Sequence, residues 1–428
     1  MTLRFSQSQL IFSEFISPAL RQTGDLFFLS TTLTHMLQAS PSPKSVSRRP
    51  FLLALLLHIG LQGGMGYAQS VQRVGPSYAL KTLSAAAAQA VDGDTFEVEA
   101  GDYSGDVAVW ERHNITVRAL NGRVRLMARG MAAEGKGIWV LRGGAMTVQG
   151  LDFSGARVPD LNGAAIRLEK GKLTVRDCSF TDNQNGILTN NHAQAELDSA
   201  HSVFGYNGHG DGQSHNLYVG EIARLTVTGS YFHHARVGHL LKSRAAVNHI
   251  LYNRLTDEVG GSASYELEFA SGGVAYVIGN VIGQGSQTEN PHLISFGAEG
   301  YRGTPNELYL INNTLVDDRT GGGIFLRVKP GQVRIKAFNN LLVGRGKLES
   351  AGPGDYKNNP NVGWDVFELA TRQDYRLKPK VSSFGPLVDA GLANDTPLMP
   401  SREYVHPLQT RAVLAAKLQT GALHSVKP

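Results

Sequence analysis

Three short runs decide how this chain folds: S-H-N-L-Y-V-G (214–220), G-H-L-L-K-S-R-A (238–245) and S-Y-E-L-E-F-A-S-G-G (264–273). In each, aliphatic residues alternate with polar ones. Leu217 and Val219 alternate with Asn216 and Tyr218, Leu241 and Ser243 with Lys242 and Arg244, and Leu267 and Phe269 with Glu266 and Glu268. Period two puts one set on a core and the other in water. Stacked as neighbours about 4.8 Å apart, the runs bring an amide, a phenol, an ammonium, a guanidinium and two carboxylates onto one patch.

The same alternation extends in both directions. It reads A-I-R-L-E (165–169), G-I-L-T-N-N (186–191), L-I-S-F (293–296) and I-F-L-R-V (324–328). With aliphatics inward, the outward positions are Arg167 and Glu169, Leu188 and Asn190, Asn216 and Tyr218, Lys242 and Arg244, and Glu266 and Glu268. A one-residue slip would reverse every assignment.

A second pattern falls between these runs, of the form apolar-x-apolar-x-(Asn/Ser/Cys)-x-(Phe/Leu/Ile). Copies end at Phe153, Phe180, Phe204, Phe232, Leu255, Ile282, Leu315 and Leu342, separated by 27, 24, 28, 23, 27, 33 and 27 residues. Repetition at that period marks a solenoid, one supersecondary unit per step. Leucine-rich repeats and four-stranded propeller blades do not fit the spacing. The Asn column at 253, 280, 313 and 340 suits turns, where Asn tolerates the left-handed region and bonds along the stack.

In front of the repeats, residues 78–91 read as an amphipathic helix. They are followed by D-G-D-T-F-E-V (92–98) and G-D-Y (101–103). Helix, Gly-Asp, strand and G-x-Y resemble the start of right-handed parallel β-helices of the pectate-lyase-like class. The resemblance implies an all-β, single-stranded right-handed parallel β-helix, its open apolar end covered by an N-terminal capping helix. The expected division is 1–68 as export signal and upstream extension, 69–345 as β-helix, and 346–428 as a C-terminal wrap folded back on the coils.

S-R-R-P-F-L-L (47–53) opens a short apolar run ending in small residues before Gln69. Basic, apolar and small segments in that order read as an export signal, too short for a stable membrane anchor. The S-R-R-x-F-L order resembles a twin-arginine signal, with Met36 as an alternative start. The expected location is periplasmic or secreted.

The formal charge of +5 is concentrated there. Residues 1–68 hold five basic and two acidic side chains, and the remainder holds 36 against 34. That near balance excludes nucleic acid as an expected partner. The single cysteine, Cys178 in V-R-D-C-S-F, excludes a disulfide scaffold and reads as a buried small side chain. The protein is expected to be a monomer.

Nine of the fourteen histidines fall between 192 and 292, where an even spread would place about three. The loop Y-N-G-H-G-D-G-Q (206–213) runs straight into His215. Lys242, Arg244, His215 and Tyr218 together suit β-elimination of a uronate chain. A base removes the proton α to the carboxylate, a cation stabilises the enolate-like charge, and an acid protonates the leaving oxygen. Arg244 suits the carboxylate, and Lys242, flanked by Arg244, is expected to lose its proton more easily than free lysine. Asn190, Asn216, His239, Glu266 and Glu268 are the expected substrate-binding groups.

Residues 238–248, with Lys-Ser followed by Asn248, resemble the strand carrying the catalytic lysine in the chondroitinase-B and alginate-lyase family. The resemblance implies a polysaccharide lyase with Lys242 as base. It departs in two places. Where the family has its catalytic arginine one coil on, this chain has Glu266 and Glu268; where the family has calcium-binding carboxylates, it has His239 and Leu240. Calcium is therefore not carried over, and neither a metal nor any other cofactor is expected. The expected partner is an acidic polysaccharide. The alternatives are an inverting glycoside hydrolase using Glu266, Glu268 or Asp211, a C5-epimerase, and a non-catalytic glycan-binding protein.

Overall fold

The structure, a computed structural model, describes residues 70–424 apart from positions 289, 304, 349–351, 380 and 382–383. The export signal and the alternative start lie outside the described residues.

Each repeat contributes one strand to each of three parallel walls. The first wall is a nine-stranded sheet running from Ala108–Trp110 to Ile324–Val328, through Leu217–Val219, Leu241–Ser243 and Leu267–Phe269. The second wall includes Ile222–Thr228, Val247–Leu251, Val274–Ile278 and Glu307–Ile311. The third includes Tyr231–His233, Arg254–Thr256, Val281–Gln284 and Thr314–Asp317. Every pairing along the walls is parallel and joins successive repeats, so the chain is a parallel β-helix and the steps read from sequence are its coils.

The last position of the repeated pattern is the spine of the core. Phe153, Phe180, Phe204 and Phe232 pair in register on the third wall, all fully buried. Their rings stack at 5.3, 4.8 and 4.5 Å between centroids. Leu255, Ile282, Leu315 and Leu342 continue the column. Each such side chain contributes roughly 1.5–3 kcal/mol by leaving water, and stacking keeps the same slot filled coil after coil.

The Cys/Ser/Asn position forms a polar ladder through the same corner. Cys178 N–H donates to Ser202 Oγ, Ser202 N–H to Ser230 Oγ, and Ser230 N–H to Asn253 Oδ1. Asn253, Asn280, Asn313 and Asn340 then each donate both backbone N–H and Nδ2 to the next Oδ1, ending on Asn359. The left-handed residue is the one before each asparagine, at Tyr252, Gly279, Asn312 and Asn339. The expected bonding along the stack holds, but the expected backbone conformation sits one residue earlier, because the ladder asparagine must aim its amide into the corner. Cys178 belongs to this column and is 1% exposed; burial pushes its thiol up to about 12.

The helix over the first coils spans Leu83–Gln89, shorter than the expected 78–91. Thr82 Oγ1 accepts from Ala85 N–H, and the Asp106 carboxylate accepts from Leu83 and Ser84 N–H. These acceptors satisfy the first-turn donors and fix the helix start at Leu83. Leu83 and Ala86 face the core.

At the other end, Asp355–Lys357 and Asn361–Val362 still pair in parallel with the preceding coil. The coils therefore extend to Val362, beyond the expected limit at 345. The segment after them folds back along the second and third walls. Tyr252 and Tyr276 pack with Ala390, Ala393 and Leu398, while Val281, Val316 and Leu341 pack with Phe367, Tyr375 and Ala422. The first wall takes no part in those clusters.

Candidate active site on the first wall

One outward column runs through the first wall in strict register: Val109, Val140, Arg167, Leu188, Tyr218, Lys242, Glu268, Ser295 and Arg327. Tyr218, Lys242 and Glu268 are therefore neighbours on consecutive strands, as the alternation predicts. Arg244 lies beyond Lys242 on the same face, its guanidinium 5.1 Å from the Tyr218 ring centre.

Asn216 and Glu266 are not on this face. Both are 0% exposed. Strict alternation would place them outward, but it does not extend into the corner before each strand. There two successive residues point inward: Asn216 and Leu217, Leu240 and Leu241, Glu266 and Leu267, Leu293 and Ile294, Phe325 and Leu326, all buried. The corner closes over the core, so the residue before the strand also lies inside. Asn216 consequently belongs to the interior, accepting from Asn207 Nδ2 at 2.9 Å and donating to His233 O at 2.8 Å. Glu266 occupies a column otherwise filled by uncharged side chains, and neither of its carboxyl oxygens has a hydrogen-bond partner among the described residues. Burial, with Asp257 adding to it, raises its carboxyl well above the usual range. Neither residue can touch a ligand on the wall.

The residue one position earlier takes the outward place. His215, His239, Tyr265 and His292 form a ring column with centroid spacings of 4.5, 5.0 and 6.3 Å. His215 Nδ1 accepts the backbone N–H of His239 at 2.9 Å. Burial, with His239, Lys242 and Arg244 adding to it, pushes His215 well below 6.5. The ring is therefore neutral, and with Nδ1 accepting, its proton sits on Nε2. His239 places Nε2 3.0 Å from Glu268 Oε2; burial lowers its pKa against the opposing pull of Glu268.

Lys242 Nζ stands 3.1 Å from Glu268 Oε2 and 2.9 Å from Glu299 Oε1. Burial pushes the ammonium down, but the two carboxylates outweigh it and its pKa is raised. The expectation that Arg244 would ease the loss of its proton is corrected: Lys242 is held charged. Glu268, 3% exposed, is kept ionised against burial by His239 and Lys242.

Glu299 was not among the expected residues. It sits on the loop after His292–Phe296, between Gly297 and Gly300, both at positive φ. Its carboxylate accepts from Arg244 Nε at 2.8 Å and from Nη2 at 2.7 Å. Against partial burial, Arg244 and Lys242 pull it down to about 2. Strand alternation carries no information about loop residues; the paired glycines around an acid were the available signal. Asn190 lies half-buried at the wall's edge, accepting from Arg167 Nε at 2.9 Å. Arg167 itself has no carboxylate within ion-pair distance among the described residues.

The Lys-Ser and Asn positions behind the local family resemblance divide in role. Ser243 and Asn248 are fully buried. Ser243 Oγ donates to Asn248 Oδ1 at 2.6 Å, and Asn248 Nδ2 donates to Ala245 O at 3.0 Å. They fix the corner behind the strand, and only Lys242 faces the wall. Among the described residues no group of three His, Cys, Asp or Glu is placed to hold a metal ion.

No family model matches the chain, and no curated protein matches it. Among solved structures, the crystal structure of pectate lyase Pel9A aligns with a TM-score of 0.48 at 14% identity, over 83% of this chain and 97% of the other.

Proposed function

We propose that the first wall is the active site of a lyase that cleaves an acidic, uronate-containing polysaccharide by β-elimination. One observation carries this reading. Tyr218, Lys242 and Arg244 share one outward face, with Arg244 already gripping a carboxylate through two parallel hydrogen bonds. Glu299 occupies the position a uronate carboxylate would take. The uronate replaces Glu299 on Arg244, which neutralises the charge that builds as the α-proton leaves.

The proton roles follow from the pairing. His215 offers no base, because Nδ1 is engaged and Nε2 carries hydrogen. Lys242, held as ammonium, is the acid for the leaving glycosidic oxygen. Tyr218, stacked under Arg244 and, among the described residues, unpaired with any carboxylate, takes the α-proton as a phenolate, its own proton having first left to solvent. The C–H electrons form the new double bond, the C–O bond breaks, and the leaving oxygen collects its proton from Lys242. This reassigns the base that the local resemblance to chondroitinase-B and alginate lyases would place on Lys242.

The hydrolase alternative loses its acid. Glu266 is in the core, Glu268 is kept ionised by its partners, and Asp211 is held below its ordinary value, against burial, by hydrogen bonds from Gln213 and Ser214. The test incubates purified protein with a panel of uronate polysaccharides. It follows the ultraviolet absorbance of unsaturated ends together with reducing ends. Both should rise together, and Tyr218→Phe should lose both. Reducing ends without absorbance would mean hydrolysis, and binding without either would mean a non-catalytic wall.

A further inference from the structure

Several arginines on the outer faces of the coil hold an acid. Arg118 pairs with Glu97, Arg125 with Asp102 and Arg176 with Asp198, and on the first wall Arg244 pairs with Glu299. Arg167, in the outward column of the same wall, does not. Its Nε donates to Asn190 Oδ1 at 2.9 Å, which fixes the plane of the guanidinium. Nη1 and Nη2 have no hydrogen-bond partner among the described residues, and neither is shut off from water. Glu169 and Asp160 are near enough to act on its charge, but both are engaged elsewhere. Glu169 stands between Lys136 Nζ at 2.6 Å and Arg142 Nε at 3.0 Å, and Asp160 accepts from Asn162 Nδ2 at 3.0 Å. Burial lowers the Arg167 pKa against the pull of these acids. The guanidinium has thus lost part of its water without gaining a counter-ion, a cost that an incoming anion would relieve.

Its place on the wall says which anion. Leu188 separates Arg167 from Tyr218 in register, so the two rows lie about 10 Å apart, at two strand spacings. Leu188 is 6% exposed and makes an aliphatic step between them. Arg244 is rooted on the Lys242 strand but leans back over the Tyr218 ring, toward the Arg167 side. Two guanidiniums therefore flank one uncharged step on a single face. Every unit of a polyuronate carries a carboxylate. A chain laid along the column with one carboxylate on Arg244 brings another to Arg167.

We propose that Arg167 is a second carboxylate-binding position of the first wall, its Nη1 and Nη2 taking a uronate one or more units away from the reacting one. The fork of the guanidinium matches a carboxylate through two parallel hydrogen bonds, and Asn190 acts by orienting that fork. The inference rests on the lyase reading for its class of ligand, and it adds a preference for chains long enough to span both arginines.

The test uses the full chain with galacturonate and mannuronate oligomers of increasing length. KM is measured where the ultraviolet signal shows turnover, and Kd by calorimetry where it does not. In the wild type, affinity should rise in a step once the oligomer reaches from Arg244 to Arg167. Arg167→Gln should lose that step, weakening the binding of long oligomers about tenfold. Arg167→Lys, which keeps the charge without the fork, should recover part of it. Methyl-esterified oligomers should show the step in neither protein, and thermal melts check that each variant folds. A step retained in Arg167→Gln, or a loss equal for short and long oligomers, overturns the proposal and leaves the lyase reading standing. A step lost in Arg167→Gln, with no turnover by the wild type, supports the proposal and removes the lyase reading. Failure of the wild type to bind either uronate series overturns both.

Discussion

Arg244 holds Glu299 through two hydrogen bonds of 2.8 and 2.7 Å, so its guanidinium already carries a carboxylate from the chain itself. Lys242 shares the same acid at 2.9 Å. On the proposed reading, the loop with Glu299 between two glycines at positive φ would keep the two cations paired until a uronate arrives. Replacing Glu299 with Gln keeps the shape and removes the charge. Half-exposed pairs contribute about 0.2–1 kcal/mol, so KM for a uronate polymer should fall up to about fivefold, with kcat little changed. An unchanged or raised KM would show that Glu299 does not occupy the carboxylate position. The same variant should lose the part of wild-type acid sensitivity that arises between the ordinary carboxylate value, near 4.5, and about 2, where Glu299 protonates and its contribution disappears.

Lys242 sits between two acids and is held as an ammonium. Lys242→Met retains the aliphatic stem and removes the acid. If Lys242 protonates the leaving oxygen, kcat/KM should fall by about 10²–10⁴. The loss should shrink with substrates bearing a good leaving group, which needs no proton. Equal losses on good and poor leaving groups would move Lys242 to a binding role. Glu268 keeps His239 at 3.0 Å in this variant, so circular dichroism should show the fold intact.

The repeat was legible because its physics is local. A residue that must fill the same core slot on every coil recurs with its chemistry, as Phe153, Phe180, Phe204 and Phe232 do, and period two assigned Tyr218, Lys242 and Arg244 to the open face. The corner was not legible from alternation. Asn216 and Glu266 obey period two on paper and lie inside, because two consecutive residues turn inward where the chain enters the wall. A column of aliphatic doublets, Leu240–Leu241, Leu293–Ile294 and Phe325–Leu326, carried that information. Glu299 was out of reach for another reason: a loop acid meets Arg244 from the coil pair beyond, a contact set by loop geometry that no strand pattern encodes. The protonation of Lys242 rests on Glu268, which alternation did place beside it, together with that missing contact.

Glu266 makes the wrong-way-in carboxyl testable. Its folded value lies well above 4.5 because it is buried, beside Asp257, with no hydrogen-bond partner among the described residues to hold the charge. The folded protein therefore keeps the proton at pH values where the unfolded chain has released it. Stability attributable to this group is greatest below about pH 4.5 and declines as pH rises toward the folded value, about 1.4 kcal/mol for each unit of difference. Asp257, raised to about 7 by burial, adds a decline of the same sign ending near that pH. Glu266→Gln should leave stability at pH 4 nearly unchanged and raise it at pH 8, read by urea unfolding at both. Equal effects at both pH values would show that Glu266 is charged in the folded state.

The asparagine ladder predicts a different response. Asn313 Oδ1 accepts from both the backbone and the side chain of Asn280, while its Nδ2 donates to Val277 O and Asn340 Oδ1. Asn313→Ala strips partners from groups on both neighbouring coils at once, inside a fully buried corner. Each orphaned group costs roughly 1–3 kcal/mol, so the unfolding free energy should fall by at least about 3 kcal/mol. Asn313→Ser, which preserves an acceptor as Ser202 and Ser230 do earlier in the same column, should recover part of that loss. The midpoint should shift without a pH dependence, since the asparagines do not titrate and the one thiol of the column, Cys178, is pushed up to about 12, and that separates this corner from the one at Glu266. An alanine variant as stable as the wild type would mean that water entering the corner replaces the amide, and that the column is held by its aliphatic neighbours alone.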